Sequence, residues 1–233
     1  MSSGLRHRPF PVVLSAPSGT GKTSIARELV SRFSDFVFSV SVTTRPPRQE
    51  ERQGRDYDFV PRAAFEGMIE KGELAEWAEV HGNLYGTPKK LLEDAGGTGQ
   101  YSVLDIDVQG ARKIRESIPQ AVLIFVFPPT AEDLRVRLAS RGTEDLEEVG
   151  RRLRKAREEL AEAVNFDYVV VNDDLNLAVE RIRTVVEAET RSPWRLLGFA
   201  EEVSRIRGEI DEMLAREGAG SRPEGNRVVD LDV

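Results

Sequence analysis

The sequence predicts an α/β fold of the P-loop type: a three-layer arrangement with a parallel sheet core, an inserted lobe and a lid. Three observations lead there. Short apolar runs alternate with segments of helical spacing as far as about Thr190, the pattern of strands joined by crossover helices. The first apolar run passes directly into a glycine-rich stretch and then a helix. Between Thr43 and Gly99 the alternation breaks into Arg/Pro/Gly punctuation with short elements, as an insertion would.

Taken in order, Pro11–Ser15 is a short buried strand, followed by a helix over Thr23–Phe33 with Ile25, Leu29 and Val30 on one face. Phe36, Phe38, Val40 and Val42 alternate, which predicts one half-buried strand over 36–42. Two short helices, about Arg62–Lys71 and Pro88–Ala95, lie in the expected lobe (43–99). Buried strands follow at Tyr101–Ile106, Ala121–Phe127 and Tyr168–Val171. The helices between and after them are expected at Val108–Ser117, Ala131–Ala139, Leu146–Val164 and Leu177–Glu189. The charged, glycine-bearing corner near Arg141–Glu148 suits a lid, about 140–152. The main domain is therefore expected over 10–190. Trp194, Leu196, Leu197, Phe199, Ile206 and Ile210 predict a helical extension over 191–216 that packs on the domain or makes a dimer contact. The polar residues 217–233 are expected to be disordered.

Composition narrows the function. The 233 residues are 39% hydrophobic and 31% charged, with a net charge of −7, ordinary for a globular protein. An acidic balance argues against general nucleic-acid binding. It still allows a small anionic ligand held by a few local arginines. The absence of cysteine excludes disulfides, zinc-thiolate sites and cysteine nucleophiles. No apolar run approaches the roughly 18 residues of a membrane span, and Met1–Arg8 is not followed by a signal-peptide core. A cytoplasmic location is expected. The oligomeric state is open.

The chemistry begins at Ala16-Pro17-Ser18-Gly19-Thr20-Gly21-Lys22-Thr23. This is the Walker A pattern with Ala16 in the first glycine position. Gly19 and Gly21 let the backbone wrap around phosphate oxygens. The loop N–H groups and the helix dipole face the anion. Lys22 supplies a charge for the β- and γ-phosphates, and the Thr23 hydroxyl suits a Mg²⁺ ligand. The context of strand, loop and helix separates this from an ordinary helix-capping turn. The motif predicts nucleoside triphosphate binding and leaves the acceptor undetermined.

A second set of strings addresses the acceptor. Thr44-Arg45-Pro46-Pro47-Arg48 sets two guanidiniums in a stiff loop. It is followed by Gly54-Arg55-Asp56-Tyr57, Glu76-Trp77-Ala78-Glu79, Gly82-Asn83-Leu84-Tyr85-Gly86-Thr87 and Leu104-Asp105-Ile106-Asp107. Asp105 and Asp107 end a strand, where ligands collect in such sheets. Each string alone is weak: the arginine loop could be a solvated turn, and Glu76 a surface carboxylate. In this order and spacing, from about Pro11 to Thr190, they resemble the guanylate kinase family of P-loop nucleoside monophosphate kinases.

That resemblance implies transfer of a phosphoryl group from ATP to GMP or dGMP, with Mg²⁺ and without an enzyme nucleophile. It implies that Arg45, Arg48, Tyr57 and Tyr85 bind the GMP phosphate. Glu76 would accept from guanine N1–H and N2–H, with Asp107 near the amino group and Ser41 and Thr87 facing O6 and N7. Adenine lacks the N1 donor, so such a pocket would discriminate by several kcal/mol. Lid arginines match Arg141 and Arg152, which with Lys22 and Arg45 would neutralise the transferring group. Without the resemblance these two would read as part of a salt-laced exposed helix bearing Glu147, Glu148, Glu158 and Glu159. Arg137, Arg151 and Arg154 are left as surface neighbours. Asn172 matches a position near the ATP adenine. Two rivals stand beside this reading: a scaffold domain of the same fold that binds peptides, although such domains usually lose the P-loop, and a P-loop kinase with another acceptor.

Overall fold

The structure, a computed structural model, describes residues 6–80, 82–139 and 146–220. The main sheet is parallel, in the order β2-β7-β1-β8-β9. Its strands are β1 (Val12–Ser15), β2 (Phe36–Phe38), β7 (Tyr101–Asp105), β8 (Val122–Phe127) and β9 (Tyr168–Val171). All residues of β1 are buried, as expected of a central strand covered on both faces. Alternation along β1 divides the core. Val12 and Leu14 face α1 (Lys22–Arg32) and α7 (Leu175–Glu189), where they join Ile25, Leu29 and Ile182. Val13 faces the other way and joins Ala111 and Ile114 of α4 (Val108–Ser117). The sheet thus lies between two helical layers, with its strand C-termini and the glycine-rich loop at one edge.

A second sheet, in the order β4-β3-β6-β5, forms the lobe. It contains β3 (Val42–Thr43), β4 (Asp58–Phe59), β5 (Leu74–Val80) and β6 (Asn83–Pro88). Its small core gathers Val42, Leu74 and Leu84 around Phe65 of α2 (Arg62–Glu70). The second sheet begins at Val42, and α3 (Lys89–Thr98) packs against β7 of the main sheet. The lobe's sheet therefore runs from Val42 to Pro88, against the 43–99 read from punctuation.

Other differences from the sequence reading have physical reasons. The single strand expected over 36–42 is two strands in two sheets. The Ser39 N–H still donates to Val103 O (2.9 Å), while Ser41 O already accepts from Asp58 N–H (2.9 Å). Alternation reports the face of a strand, not which sheet it joins. Helix α3 runs through Gly96 and Gly97 and stops at Gly99, whose φ of +78° suits only glycine there. Helix α7 starts two residues before the expected Leu177, because Asp174 caps it by accepting from Leu177 N–H (2.9 Å). The long helix α6 (Leu146–Ala161) ends in a 3-10 turn over Glu162–Asn165. The expected lid falls partly outside the described residues, Arg141 included.

Residues 8–191 form one compact unit. In the other, Leu197 N–H donates to Arg6 O (2.7 Å) and His7 bridges Leu196 ahead of α8 (Phe199–Gly220). Helix α8 continues past Arg216, where disorder was expected to begin. No helix among the described residues is long and apolar enough to cross a membrane.

Candidate active site

The glycine-rich loop joins β1 to α1 and turns twice through positive φ, at Gly19 (+87°) and Gly21 (+92°). Any side chain there would be strained. It would also collide: a Cβ on Gly19 would lie 2.9 Å from Leu138 Cδ2, and one on Gly21 2.7 Å from Asn172 Nδ2. These glycines are thus required by the backing of the loop as well as by its concave side. Ala16, in the first glycine position, is buried in the core. Thr20 closes the turn by donating through Oγ1 to Pro17 O (2.8 Å).

Two side chains brace the loop from behind. Asn172, 6% exposed, donates through Nδ2 to Thr20 O (2.6 Å). Arg137 of α5 (Ala131–Ala139) donates to Thr20 O and Asn172 O, both at 3.2 Å. The family position of Asn172 implied an adenine contact; here its amide is engaged by the loop itself. Arg137, left as a surface neighbour by the sequence, is part of the loop's support.

At the front, Lys22 and Thr23 begin α1 and meet the end of β7. Lys22 Nζ lies 3.0 Å from Asp105 Oδ1 and donates to Ile106 O (2.5 Å). Thr23 Oγ1 donates to Asp105 Oδ2 (2.5 Å). Asp105 is 82 residues from Thr23 in sequence but adjacent in space, because β7 pairs directly with β1. A hydroxyl and a carboxylate at the edge of a cleft form a hard oxygen donor set. Among the described residues no cluster of three His, Cys, Asp or Glu could hold a metal alone.

The same cleft is lined by the loop, by Ser41, Arg48, Tyr57, Glu76 and Tyr85 from the lobe, and by Asp105, Asp107, Lys155 and Glu159. Glu76 (β5) is 7% exposed and sits across from Thr87 (β6), whose Oγ1 donates to Glu76 Oε1 (2.7 Å). Gly110 makes room for it: a Cβ there would approach Glu76 Oε2 to 3.1 Å. Burial pushes the Glu76 carboxyl up to about 7, with the Thr87 bond opposing and the nearby Asp107 charge adding to the rise. Asp107 also caps α4, accepting from Gly110 N–H through Oδ1 (2.9 Å).

A neighbouring pocket holds Arg45, Arg48, Tyr57, Tyr85 and Glu51. Arg45 donates through Nη2 to both Glu51 oxygens (2.8 and 2.9 Å), through Nε to Tyr85 OH (3.2 Å) and through Nη1 to Pro46 O (2.7 Å). Glu51 also accepts from Arg48 N–H (2.8 Å). Burial opposes ionisation of Glu51, yet the Arg48 N–H and Arg45 hold it below its ordinary value. The Arg45 guanidinium and the Arg48 N–H therefore converge on a carboxylate supplied by the chain. Burial pushes the Tyr57 phenol up to about 12, with the Asp105 charge adding to the rise, so it stays a donor.

Helix α6 also reaches the loop and lines the cleft with Lys155 and Glu159. Arg152 Nη2 donates to Ser18 Oγ (3.0 Å) and Nη1 to Leu138 O (3.5 Å). Glu159, two turns on, is 8% exposed, with its pKa raised mainly by burial; Lys155, Lys22 and a bond from Ser18 N–H pull it back.

The sequence model of the family described as guanylate kinase matches residues 8–189. The chain belongs to the guanylate kinase family. Among its relatives, the guanylate kinase of Nitratidesulfovibrio vulgaris is 50% identical over 182 residues, covering 78% of this chain and 88% of the relative. That of Myxococcus xanthus is 49% identical over 179 residues, covering 76% and 86%. The crystal structure of guanylate kinase from Anaplasma phagocytophilum superposes with a TM-score of 0.72 at 37% identity, covering 85% of this chain and 95% of that one. The guanylate kinase resemblance read from the motifs and the P-loop α/β fold both hold.

Within this guanylate kinase fold, one cleft gathers the loop residues 16–23 with Ser41, Arg48, Tyr57, Glu76, Tyr85 and Asp107, and Thr87 is hydrogen-bonded to its wall. Arg45 lines the adjoining pocket, and Arg152 touches Ser18. Asp105, Arg137, Glu51, Lys155 and Glu159 were given no role from sequence. Asp105 carried a signal, an apolar strand ending in Asp, but only Asp107 was assigned. Arg137, Glu51, Lys155 and Glu159 carried none, since each is one charge in a charged segment.

Proposed function

We propose that this chain transfers the γ-phosphoryl group of ATP to GMP, and to dGMP, giving ADP and GDP or dGDP. The observation that carries the reading is Glu76: a buried carboxylate hydrogen-bonded to Thr87, in the cleft that also contains the glycine-rich loop. Guanine offers adjacent N1–H and N2–H donors that such a carboxylate accepts, whereas adenine would leave it unmatched.

The residues divide by role. Loop N–H groups and Lys22 bind the β- and γ-phosphates of ATP. Arg45, Arg48, Tyr57 and Tyr85 bind the GMP phosphate, which takes over the Arg45 guanidinium from Glu51. Asp107, Ser41 and Thr87 complete the guanine pocket. Arg152, joined by Arg141, brings positive charge to the transferring group. The Thr23 hydroxyl and Asp105 carboxylate fit Mg²⁺. When bound with ATP, Mg²⁺ offsets charge on the β- and γ-phosphates. An oxygen of the GMP phosphate bonds to the γ-phosphorus while the bond to the ADP oxygen breaks. No general base is needed, because the attacking phosphate is already ionised. The nucleotide substrates support a cytoplasmic setting.

A coupled assay with ATP and, separately, GMP, dGMP, AMP, CMP and UMP tests this. Turnover of GMP and dGMP is expected to exceed that of AMP by at least about 10³-fold in kcat/KM. Comparable use of AMP would overturn the base-recognition argument.

Glu76 also sets a pH dependence. With its carboxyl pushed up to about 7, the protonated form dominates below that pH and cannot accept both guanine donors. KM for GMP is expected to fall as pH rises through about 7 and then level off, while KM for ATP follows no such curve. The GMP phosphate, with a second pKa of about 6, contributes a separate step, which alone should persist in Glu76→Gln. Stability runs the opposite way. A folded-state pKa raised above 4.5 favours the folded protein at low pH, and that contribution is lost as pH rises through about 7.

A further inference from the structure

Helix α8 carries apolar residues at Phe199, Val203, Ile206, Ile210 and Met213, in steps of four and three. This is the spacing of a coiled-coil seam, with Val203 and Ile210 at a, and Phe199, Ile206 and Met213 at d. Val203, Ile206, Ile210 and Met213 are 40, 44, 48 and 58% exposed. A continuous stripe of this kind leaves apolar area in water that a matching surface would remove. The family match ends at residue 189, and no residue of the proposed active site lies on α8.

We infer that α8 pairs in parallel with α8 of a second copy of this chain. The charges flanking the seam select both the partner and its direction. The g positions are Glu202, Glu209 and Arg216; the e positions include Arg207 and Leu214. In a parallel pair each g residue faces the e residue five further along the other helix. Glu202 then faces Arg207 of the second copy on both sides of the seam, and Glu209 faces Leu214. An antiparallel pair in register would set Arg207 against Arg207 and Glu209 against Glu209, offsetting its Glu202–Arg216 pairs, whereas the parallel pair sets no like charges face to face. Gly208 falls at f, the outermost position, where a missing side chain removes no contact. Positions b and c hold Ser204, Arg205, Asp211 and Glu212, all polar, and Arg205 ties Glu202 and Glu209 together along the outside of its own helix. The seam is short, so the dimer is in exchange with monomer rather than obligate.

Sedimentation equilibrium of the full chain, from micromolar to hundreds of micromolar, tests this. A monomer–dimer equilibrium is expected. Ile206→Lys with Ile210→Lys should abolish it while kcat for GMP and helical content stay unchanged, since both residues are solvent-facing on one helix. Charge reversal tests direction. Glu202→Lys and Arg207→Glu chains should each dimerise about tenfold more weakly, and their equimolar mixture should recover association, because each then faces its opposite. A chain monomeric throughout, a trimer, a dimer indifferent to the Ile206/Ile210 pair, or a mixture no tighter than its components would overturn the proposal.

Discussion

Lys22→Ala is expected to lower kcat by at least about 10²–10³-fold, the loss seen when one preorganised donor to developing charge is removed, while the protein stays folded. Lys22 is paired with the same Asp105 carboxylate that accepts from Thr23. It bonds to Asp105 Oδ1 (3.0 Å) and to Ile106 O (2.5 Å) at the end of β7, which fixes its position beside the loop. Truncation removes the charge and leaves Asp105 with Thr23 as its hydrogen-bond partner. The fold does not rest on this pair, because the core around β1 is apolar on both faces. The pair is mostly buried, 17 and 12% exposed, so its loss costs more than that of a surface pair, and Tm should fall by several degrees while the protein stays folded. Steady-state kinetics with circular dichroism checks this. A folded variant with near-normal kcat would contradict the role of the loop in transfer.

Glu76→Gln is expected to lower kcat/KM for GMP by about 10²-fold, equivalent to ~2.7 kcal/mol, within the range for a hydrogen-bonded charge facing two donors. KM for ATP should change little. The amide retains an oxygen for the Thr87 hydroxyl but turns an N–H₂ toward the guanine N1–H and N2–H. The stability effect has the opposite sign. Burial pushes the Glu76 carboxyl up to about 7, so above that pH the folded protein carries a desolvated charge that Gln lacks. The variant should therefore be at least as stable as the parent at pH 8, and its advantage should vanish at pH 5. Equal GMP use by both proteins would remove Glu76 from base recognition. Equal loss for GMP and ATP would point to damage to the cleft as a whole.

The two residues differ in how they could be found. Lys22 follows from a contiguous string, because a Gly-x-Gly-Lys-Thr run between strand and helix dictates its own backbone path through positive φ at Gly19 and Gly21. Glu76 lies in a strand where alternation alone leaves a carboxylate equally plausible on either face. Its burial depends on Thr87 opposite, on Gly110 above it and on the packing of α4 against β5. Arg45 was expected to point into a phosphate site, but its bond to Glu51 six residues on could not be distinguished from any other arginine–glutamate pair in a polar loop.

Residue order along the chain determined the alternation of strands and helices and the phosphate loop, which are set by residues within one or two turns of one another, and the family, which is set by the order and spacing of short strings along the chain. The tertiary structure alone decided that residues 36–43 divide between two sheets, that Asp105 meets Lys22 and Thr23, and that Arg137 and Asn172 brace the loop from behind. Those contacts follow from β7 and β8 flanking β1 and β9 lying beyond β8. Strand order is a global property: hydrophobic periodicity states which face of a strand is buried, and the neighbour it pairs with is chosen only when the whole sheet assembles.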